Sequence, residues 1–228
     1  AAIIHVSRIQ PLVVTLGSLY LFGGAATVLS GVVGASGYEG IGNFPDAFTA
    51  FAYFELGGLP APFLVLLVEA AILFVVLHYS RFGRSVFMCG LSEHAARYSG
   101  LPIKTIQTIT YVMTGVFAAI AGLVLSSYFG SARVDLGTAT LLPAITAAVL
   151  GGASIYGGQG SIIGTLLATL VIGYLQQGLQ MSGVPSQISS ALSGALLVVA
   201  VALRHGSAVL ADFVAARIMA MNRKRAAS

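Results

Sequence analysis

The chain has 228 residues, of which 57% are hydrophobic and 8% are charged, and its formal net charge is +4 at pH 7. A soluble domain carries charge on about a quarter of its residues, so this composition excludes a large soluble core and predicts a membrane protein. The basic residues are spread between apolar stretches, which argues against a nucleic-acid-binding surface. The single cysteine, Cys89, cannot form a disulfide within the chain.

Apolar stretches alternate with polar loops along the chain. Five of them are long enough to cross a membrane as helices, and they cover residues 9–32, 59–77, 106–128, 162–181 and 187–203. A sixth apolar stretch, 141–156, is short for a full crossing and ends in Gly157-Gly158-Gln159-Gly160, so it is tilted, broken or partly re-entrant. The sequence predicts an all-α polytopic transmembrane helical bundle with about six crossings.

The basic residues predict the orientation. With about six crossings, Arg133 lies on one side of the membrane and every other Lys and Arg lies on the opposite side. The positive-inside rule places that second side, with both ends of the chain, in the cytosol. One crossing fewer would put the basic tail 205–228 outside, so the charge pattern predicts that 141–156 crosses.

The polar interval 83–104, called the handle below, is the predicted cytosolic loop between two spans. Its centre predicts a short helix, because Ser92 suits an N-cap, Ala95 and Ala96 favour a helix interior, and Gly100 before Leu101-Pro102 ends it. A capped helix this short cannot span the membrane. We therefore expect another protein to hold it on the water side.

Two motifs carry a resemblance to a known family. The pattern Glu93-x-Ala95-Ala96-x-x-x-Gly100 resembles the coupling loop of ABC importer permeases, and LPAITAAVLGGASIYGGQGS at 142–161 resembles their ribose and autoinducer-2 branch. Further similar segments cover nearly the whole chain. The resemblance implies that Glu93, Ala95, Ala96 and Gly100 dock on a cytosolic ATPase.

The resemblance also implies the assembly. Residues 1–228 would form a single permease domain in the bacterial inner membrane, beside a second permease, ABC ATPase subunits and a periplasmic solute-binding protein. The chain itself would catalyse no reaction and would carry autoinducer-2, or alternatively ribose or another pentose. Family members carry further spans before residue 11 and this chain begins at Ala1 without Met, so we expect a piece that lacks roughly the first third.

A polar stripe follows helical spacing along the 162–181 span. Its members are Thr165, Thr169, Gly173, Gln176 and Gln180. Amides and hydroxyls suit a small polyhydroxylated solute, so Thr165, Thr169, Gln176 and Gln180 are the candidate substrate pathway. The same residue types also form hydrogen bonds between packed helices, and the sequence leaves both interpretations open.

Other functional classes rest on weaker signals. Glu69, in the middle of a span, would suit an ion-coupled secondary transporter, or it faces neighbouring helices as a neutral group.

The glycine-rich 151–160 segment lacks the Lys-Ser/Thr ending of a nucleotide-binding loop. The scattered histidines show no metal-ligand spacing and no catalytic constellation is visible, so we expect neither metal nor cofactor and disfavour an intramembrane enzyme. The tail 205–228 is expected to lie on membrane lipid or to be solvated.

Overall fold

The computed structural model describes residues 4, 11–35, 40–183, 185, 188, 191–192, 194–196, 198–199 and 202. Only about half of the residues in the predicted span 187–203 are described, and the tail 205–228 lies wholly outside the described residues. The chain divides into two compact units, one of Ala1–Thr140 with Tyr156–Ile162 and the other of Leu141–Ile155 with Ile163–Ser228. Each unit is described by itself.

The described residues are almost entirely helical. In chain order the elements are α1 (Pro11–Val32), α2 (Asp46–Tyr53), β1 (Glu55–Leu56), β2 (Leu59–Pro60), α3 (Ala61–Tyr79), α4 (Arg81–Leu91), α5 (Glu93–Tyr98), α6 (Ile103–Phe129), a 3₁₀ turn (Thr138–Thr140), α7 (Leu141–Leu150) and α8 (Ile162–Met181). Four of the helices, α1, α3, α6 and α8, are long and apolar enough to cross a membrane. This confirms the all-α polytopic fold, while the count of about six crossings stays a prediction.

The four long helices bury very little of their surface inside the chain. None of the most apolar window of α6 is buried, and only 6% of that of α3. A helix satisfies its backbone hydrogen bonds internally, so lipid can surround it without cost to unpaired polar groups. The exposed apolar surface is therefore what a membrane-embedded chain requires.

The short helix α2 packs against the C-terminal end of α6. The Ser127 hydroxyl donates to the Phe48 carbonyl at 2.5 Å, and the Tyr53 hydroxyl donates to the Tyr128 carbonyl at 3.1 Å. The two tyrosine rings stack with centroids 5.9 Å apart. α2 lies between the predicted spans 9–32 and 59–77, in a polar loop for which sequence reasoning named no helix.

A two-residue hairpin joins α2 to α3. Glu55 pairs with Pro60, and Leu56 pairs with Leu59. Gly57 and Gly58 form the turn with φ angles of +61° and +82°, which only glycine adopts at low cost. The turn at Gly57 and Gly58 thus reverses the chain, and α3 begins at Ala61 immediately after the second strand.

Sequence reasoning missed α4, which occupies the first half of the handle. Ser80 caps it, because its hydroxyl accepts a hydrogen bond from the Gly83 backbone nitrogen at 3.0 Å. Gly83 is required at this turn, since a side chain there would overlap the Leu77 carbonyl. Two glycines and two arginines in eleven residues hid the helix, although Phe82, Val86 and Cys89 recur at helical spacing.

The 141–156 stretch contains only a short helix. At about 1.5 Å per residue, the 10 residues of α7 rise about 15 Å, half the thickness of the hydrocarbon. Yet the flanking residues lie at opposite ends of α6. Thr140 lines a cavity together with Gly122 and Ser126, which belong to the C-terminal half of α6. Gly158, in contrast, contacts Leu91 in the handle, the segment that precedes the N-terminus of α6. The crossing of 141–156 stays a prediction.

In the second unit, α7 and α8 pack closely where glycines meet. A side chain on Gly151, which directly follows α7, would overlap the backbone of α8 at Thr165, and one on Gly164 would overlap the Gly151 carbonyl. Ala147, Ala168 and Ile172 form a small buried cluster between the two helices. Gly151, at the start of the glycine-rich segment, therefore serves close packing against α8.

Candidate functional site

The handle presents a rigid short helix, α5. The Ser92 hydroxyl accepts a hydrogen bond from the Ala95 backbone nitrogen at 3.3 Å. Glu93 and Arg97 form an exposed ion pair at 3.1 Å. At the C-terminus, the Gly100 nitrogen donates to the Arg97 carbonyl and the Leu101 nitrogen donates to the Ala96 carbonyl, both at 3.1 Å. These two bonds are a Schellman motif, which requires the positive φ of Gly100, +76°.

The four predicted coupling residues do not share one environment. Ala96 is 1% exposed and packs inside its own chain, so its side chain is not part of the handle surface. Glu93, Ala95 and Gly100 are exposed. No side-chain atom lies near Gly100, and its evident role is to end the helix.

Large apolar side chains stand exposed on the handle, and sequence reasoning missed them. Tyr98 is 92% exposed, and Leu91 and Met88 are 68% and 46% exposed. Exposed aromatic and apolar groups within a polar segment are typical of a contact surface. The sequence signal that could have revealed this surface was Tyr98, a tyrosine within a polar, basic loop.

The handle contacts the glycine loop directly. A methyl group on Gly90 would overlap the Gly158 backbone nitrogen, and one on Gly158 would lie 2.7 Å from the Leu91 nitrogen. Gly157 and Gly158 have φ angles of +91° and +74°. This loop precedes α8 in the chain, and the handle contacts the loop backbone to backbone.

The polar stripe on α8 is mostly open. Thr169, Gly173 and Gln180 are exposed, and Thr165 and Gln176 are half-buried. The Thr169 hydroxyl donates to the Thr165 carbonyl at 2.8 Å, so its oxygen keeps lone pairs to accept from another group. Thr165 lies beside Gly151 at the packed end of the helix. The structure therefore brings the four candidate pathway residues onto one helix, with the first of them in a packed contact.

Glu69 has an unsatisfied carboxylate oxygen. Its Oε1 atom is buried and has no hydrogen-bond partner among the described residues. It lines an apolar groove of about 360 Å³ with Phe51, Phe54 and Phe117. Leaving a buried polar atom without a hydrogen-bond partner is costly, which sets Glu69 apart among the described polar side chains.

Cys89 is a half-buried free thiol in α4. Burial, and secondarily the negative charge of Glu93, raise the pKa of the Cys89 thiol. At neutral pH it is therefore protonated and unreactive. In the part of the chain that the structure describes, no three His, Cys, Asp or Glu side chains come together in a way that could hold a metal ion.

Comparison with known proteins identifies the family. The family model described as the permease component of the branched-chain amino acid transport system matches residues 1–201. The chain belongs to this permease family. It is 59% identical over 201 residues, 88% of the chain, to the Klebsiella pneumoniae autoinducer 2 import system permease protein LsrD. No solved structure was found to match it.

Other relatives carry the same name. The chain is 59% identical to LsrD of Enterobacter sp. over 88% of its length. It is 56% identical to LsrD of Escherichia coli (strain K12 / DH10B) over 91% of its length. These alignments cover 60%, 62% and 63% of the three relatives in the order given, so the permease spans about three fifths of the proteins it matches.

Proposed function

We propose that this permease is a membrane subunit of an ATP-driven ABC importer and carries autoinducer-2 across the bacterial inner membrane. The observation that carries the proposal is the 56–59% identity, over 88–91% of the chain, to permeases named for autoinducer 2 import. The sequence pattern of the handle supports it independently. Under this proposal the chain hydrolyses no ATP itself.

The handle is the proposed docking element for the cytosolic ATPase. Glu93 and Ala95 are exposed on α5, and Tyr98 offers a large amphipathic side chain of the kind that dominates protein interfaces. Ala96 and Gly100 support the shape of the helix rather than contacting the partner. We therefore assign ATPase docking to Glu93, Ala95 and Tyr98. Ala96 and Gly100 instead stabilise the conformation of α5.

The exposed stripe on α8 is the proposed solute pathway. Thr169, Gln176 and Gln180 present polar groups at membrane depth without a fixed charge, which suits a neutral solute that must bind and leave. The opposite wall of the path would come from the second permease. A periplasmic solute-binding protein would deliver the solute from outside.

A deletion and complementation experiment tests the solute. Cells that lack the gene for this permease should stop removing autoinducer-2 from the medium, and the intact gene should restore removal. Excess ribose should not compete. Undiminished removal in the deletion strain contradicts the proposed solute, and ribose uptake that follows the gene instead supports the pentose alternative.

One observation favours a second candidate, an ion-coupled transporter. The buried Oε1 of Glu69 has no hydrogen-bond partner among the described residues, and such a group is one that a proton-coupled carrier would use. Replacing Glu69 by Gln keeps the shape of the side chain but removes its ability to bind and release a proton. Transport that tolerates Glu69→Gln supports the ABC importer, whereas loss of pH-dependent uptake would support the ion-coupled candidate.

A further inference from the structure

A second polar site lies at the C-terminal end of α6, far from the handle, and is built around Arg133. The predicted topology makes Arg133 the one basic residue of the chain on the outer side. Under the positive-inside rule, basic residues there carry no topological role. The structure therefore has to supply another reason for its presence.

The Arg133 side chain is held in place from two directions. Ile41 and Ala132 exchange backbone hydrogen bonds of 3.0 and 2.9 Å, which brings Gly40 against the arginine stem. A methyl group on Gly40 would lie 2.5 Å from Arg133 Cγ. From the other side, Asp135 Oδ1 accepts from Nε at 2.9 Å and Oδ2 accepts from Nη2 at 2.5 Å.

This geometry leaves hydrogen-bonding capacity unused. The fork on Asp135 occupies one N–H of Nε and one of Nη2, so three of the five guanidinium N–H groups remain. Arg133 has no further hydrogen-bond partner within the described part of the chain. The hydrogen bond from Arg133 lowers the pKa of Asp135, so the pair is fully ionised, and neutral as a whole, at physiological pH.

The pair borders a cavity of about 360 Å³. Small residues of α6, Ala118, Ala121 and Gly122, make room for it, and Ser126 and Thr140 contribute hydroxyls. This volume lies within the usual range for small-molecule sites. Charged donors and acceptors with no net charge, beside a small apolar floor, suit a neutral molecule that carries several hydroxyls on a short carbon skeleton.

We propose that this cavity is an outer binding subsite, in which a neutral polyhydroxylated solute places its hydroxyls on Arg133 and Asp135. The subsite rests on the proposed import function and would hold the solute before it reaches the stripe on α8. Arg133 would donate to one hydroxyl oxygen. A free lone pair of Asp135 would accept from a neighbouring hydroxyl.

Two variants test the subsite in different ways. Arg133→Gln removes the charged donors, and Gly122→Leu fills the cavity without touching the ion pair. In the complete importer with its binding protein at saturation, each should lower the uptake of autoinducer-2 about tenfold, the scale of one lost charged hydrogen bond. Thr138→Ala is the matched control, because its hydroxyl bonds the Asp135 carbonyl and only loosens the same loop.

A labelling experiment gives a readout independent of transport. With Cys89 replaced by Ser, a cysteine introduced by Thr140→Cys at the rim should react with an impermeant thiol reagent from outside. Autoinducer-2 should slow that reaction, excess ribose should not, and Gly122→Leu should abolish the protection. If wild-type uptake is absent but protection is observed, the subsite stands and the proposed function fails.

Three results would overturn the subsite. The first is normal uptake by Gly122→Leu together with unprotected labelling of Thr140→Cys. The second is an equal loss of uptake in Thr138→Ala and Arg133→Gln while Gly122→Leu transports normally. That result would mean that the Arg133–Asp135 ion pair only stabilises its loop. The third is weaker association of the solute-binding protein with Arg133→Gln while Gly122→Leu associates and transports normally. That result would mean that the Arg133–Asp135 ion pair contacts the binding protein rather than the solute.

Discussion

Gly90 of α4 and Gly158 of the loop before α8 touch backbone to backbone, with no room for a methyl group on either. Gly90 belongs to the handle, and Gly158 lies shortly before Ile162, where α8 begins. A displacement of the handle therefore acts directly on the loop that leads into α8. We expect this contact to transmit motion from the ATPase to the pathway.

Gly90→Ala tests this contact. In a helix interior, Ala is favoured over Gly by about 1 kcal/mol. Here the added methyl would overlap a backbone atom, which cannot rotate away, and overpacking of this kind costs about 1–3 kcal/mol. Uptake should fall several-fold while the protein stays in the membrane and binds its ATPase. The control is Gly115→Ala on α6, where no atom lies within 4 Å of the added methyl; equal uptake by the two variants would contradict a transmitting contact.

Tyr98→Ala tests the docking surface of the handle. Because Tyr98 is 92% exposed, its loss should not disturb folding. As an interface anchor it should cost about 2 kcal/mol or more of ATPase binding, seen as reduced co-purification at equal membrane abundance. Tyr20→Ala, at an 80% exposed tyrosine of α1, is the matched control. Undiminished co-purification by Tyr98→Ala would remove Tyr98 from the interface.

Substitutions at Gly100 are a less direct test of docking. A bulky residue there would meet no neighbour in the chain, but any side chain would strain the left-handed conformation that ends α5. Strain of this kind costs about 1–3 kcal/mol. Loss of function in Gly100→Trp would therefore report helix distortion as well as a clash with the ATPase.

The reactivity of Cys89 should depend on pH in a defined direction. Burial and Glu93 raise the pKa of the thiol, so the rate of alkylation by iodoacetamide should reach its half-maximum at a higher pH than for a free cysteine. Glu93→Gln removes the negative charge that disfavours the thiolate, and the half-maximum should move to lower pH. Glu55→Gln, at the hairpin, should leave it unchanged. A shift to higher pH in Glu93→Gln would contradict the electrostatic account.

The polar stripe is tested by Thr169→Leu and Gln176→Leu. Leucine inserts into a membrane more favourably than either residue, so abundance should hold. Loss of one hydrogen bond to the solute costs on the order of 1 kcal/mol, a several-fold drop in uptake. Val171→Leu, at a 60% exposed position of the same helix, is a suitable control. Ala168 is not, because it is buried against Ala147. Equal uptake by all three variants would make the stripe a packing surface.

The sequence predicted the long helices well because lipid demands long apolar runs, and these are visible without tertiary contacts. The predicted spans 59–77 and 106–128 differ from α3 and α6 by only a few residues at their ends. The ends of α5 were equally readable, because Ser92 and Gly100 act locally.

What could not be predicted depends on distant contacts. Nothing in the local sequence shows that Gly90 meets Gly158, that Gly40 lies against Arg133, or that Ala96 is buried while Ala95 is exposed. Helix α4 was missed because its glycines serve packing rather than helix propensity. Glu93 and Ala95 were therefore found from the sequence pattern, whereas the exposed Tyr98 and the subsite around Arg133 emerged only from the three-dimensional arrangement.

The energy source of transport tests the central claim most directly. Uptake of labelled autoinducer-2 should be measured in cells that express this permease with its partner subunits, after ATP depletion and, separately, after treatment with an uncoupler at maintained ATP. An ABC importer predicts that ATP depletion abolishes uptake and that the uncoupler leaves it intact. Uptake that survives ATP depletion and is abolished by the uncoupler would contradict the account and point to Glu69 and ion coupling.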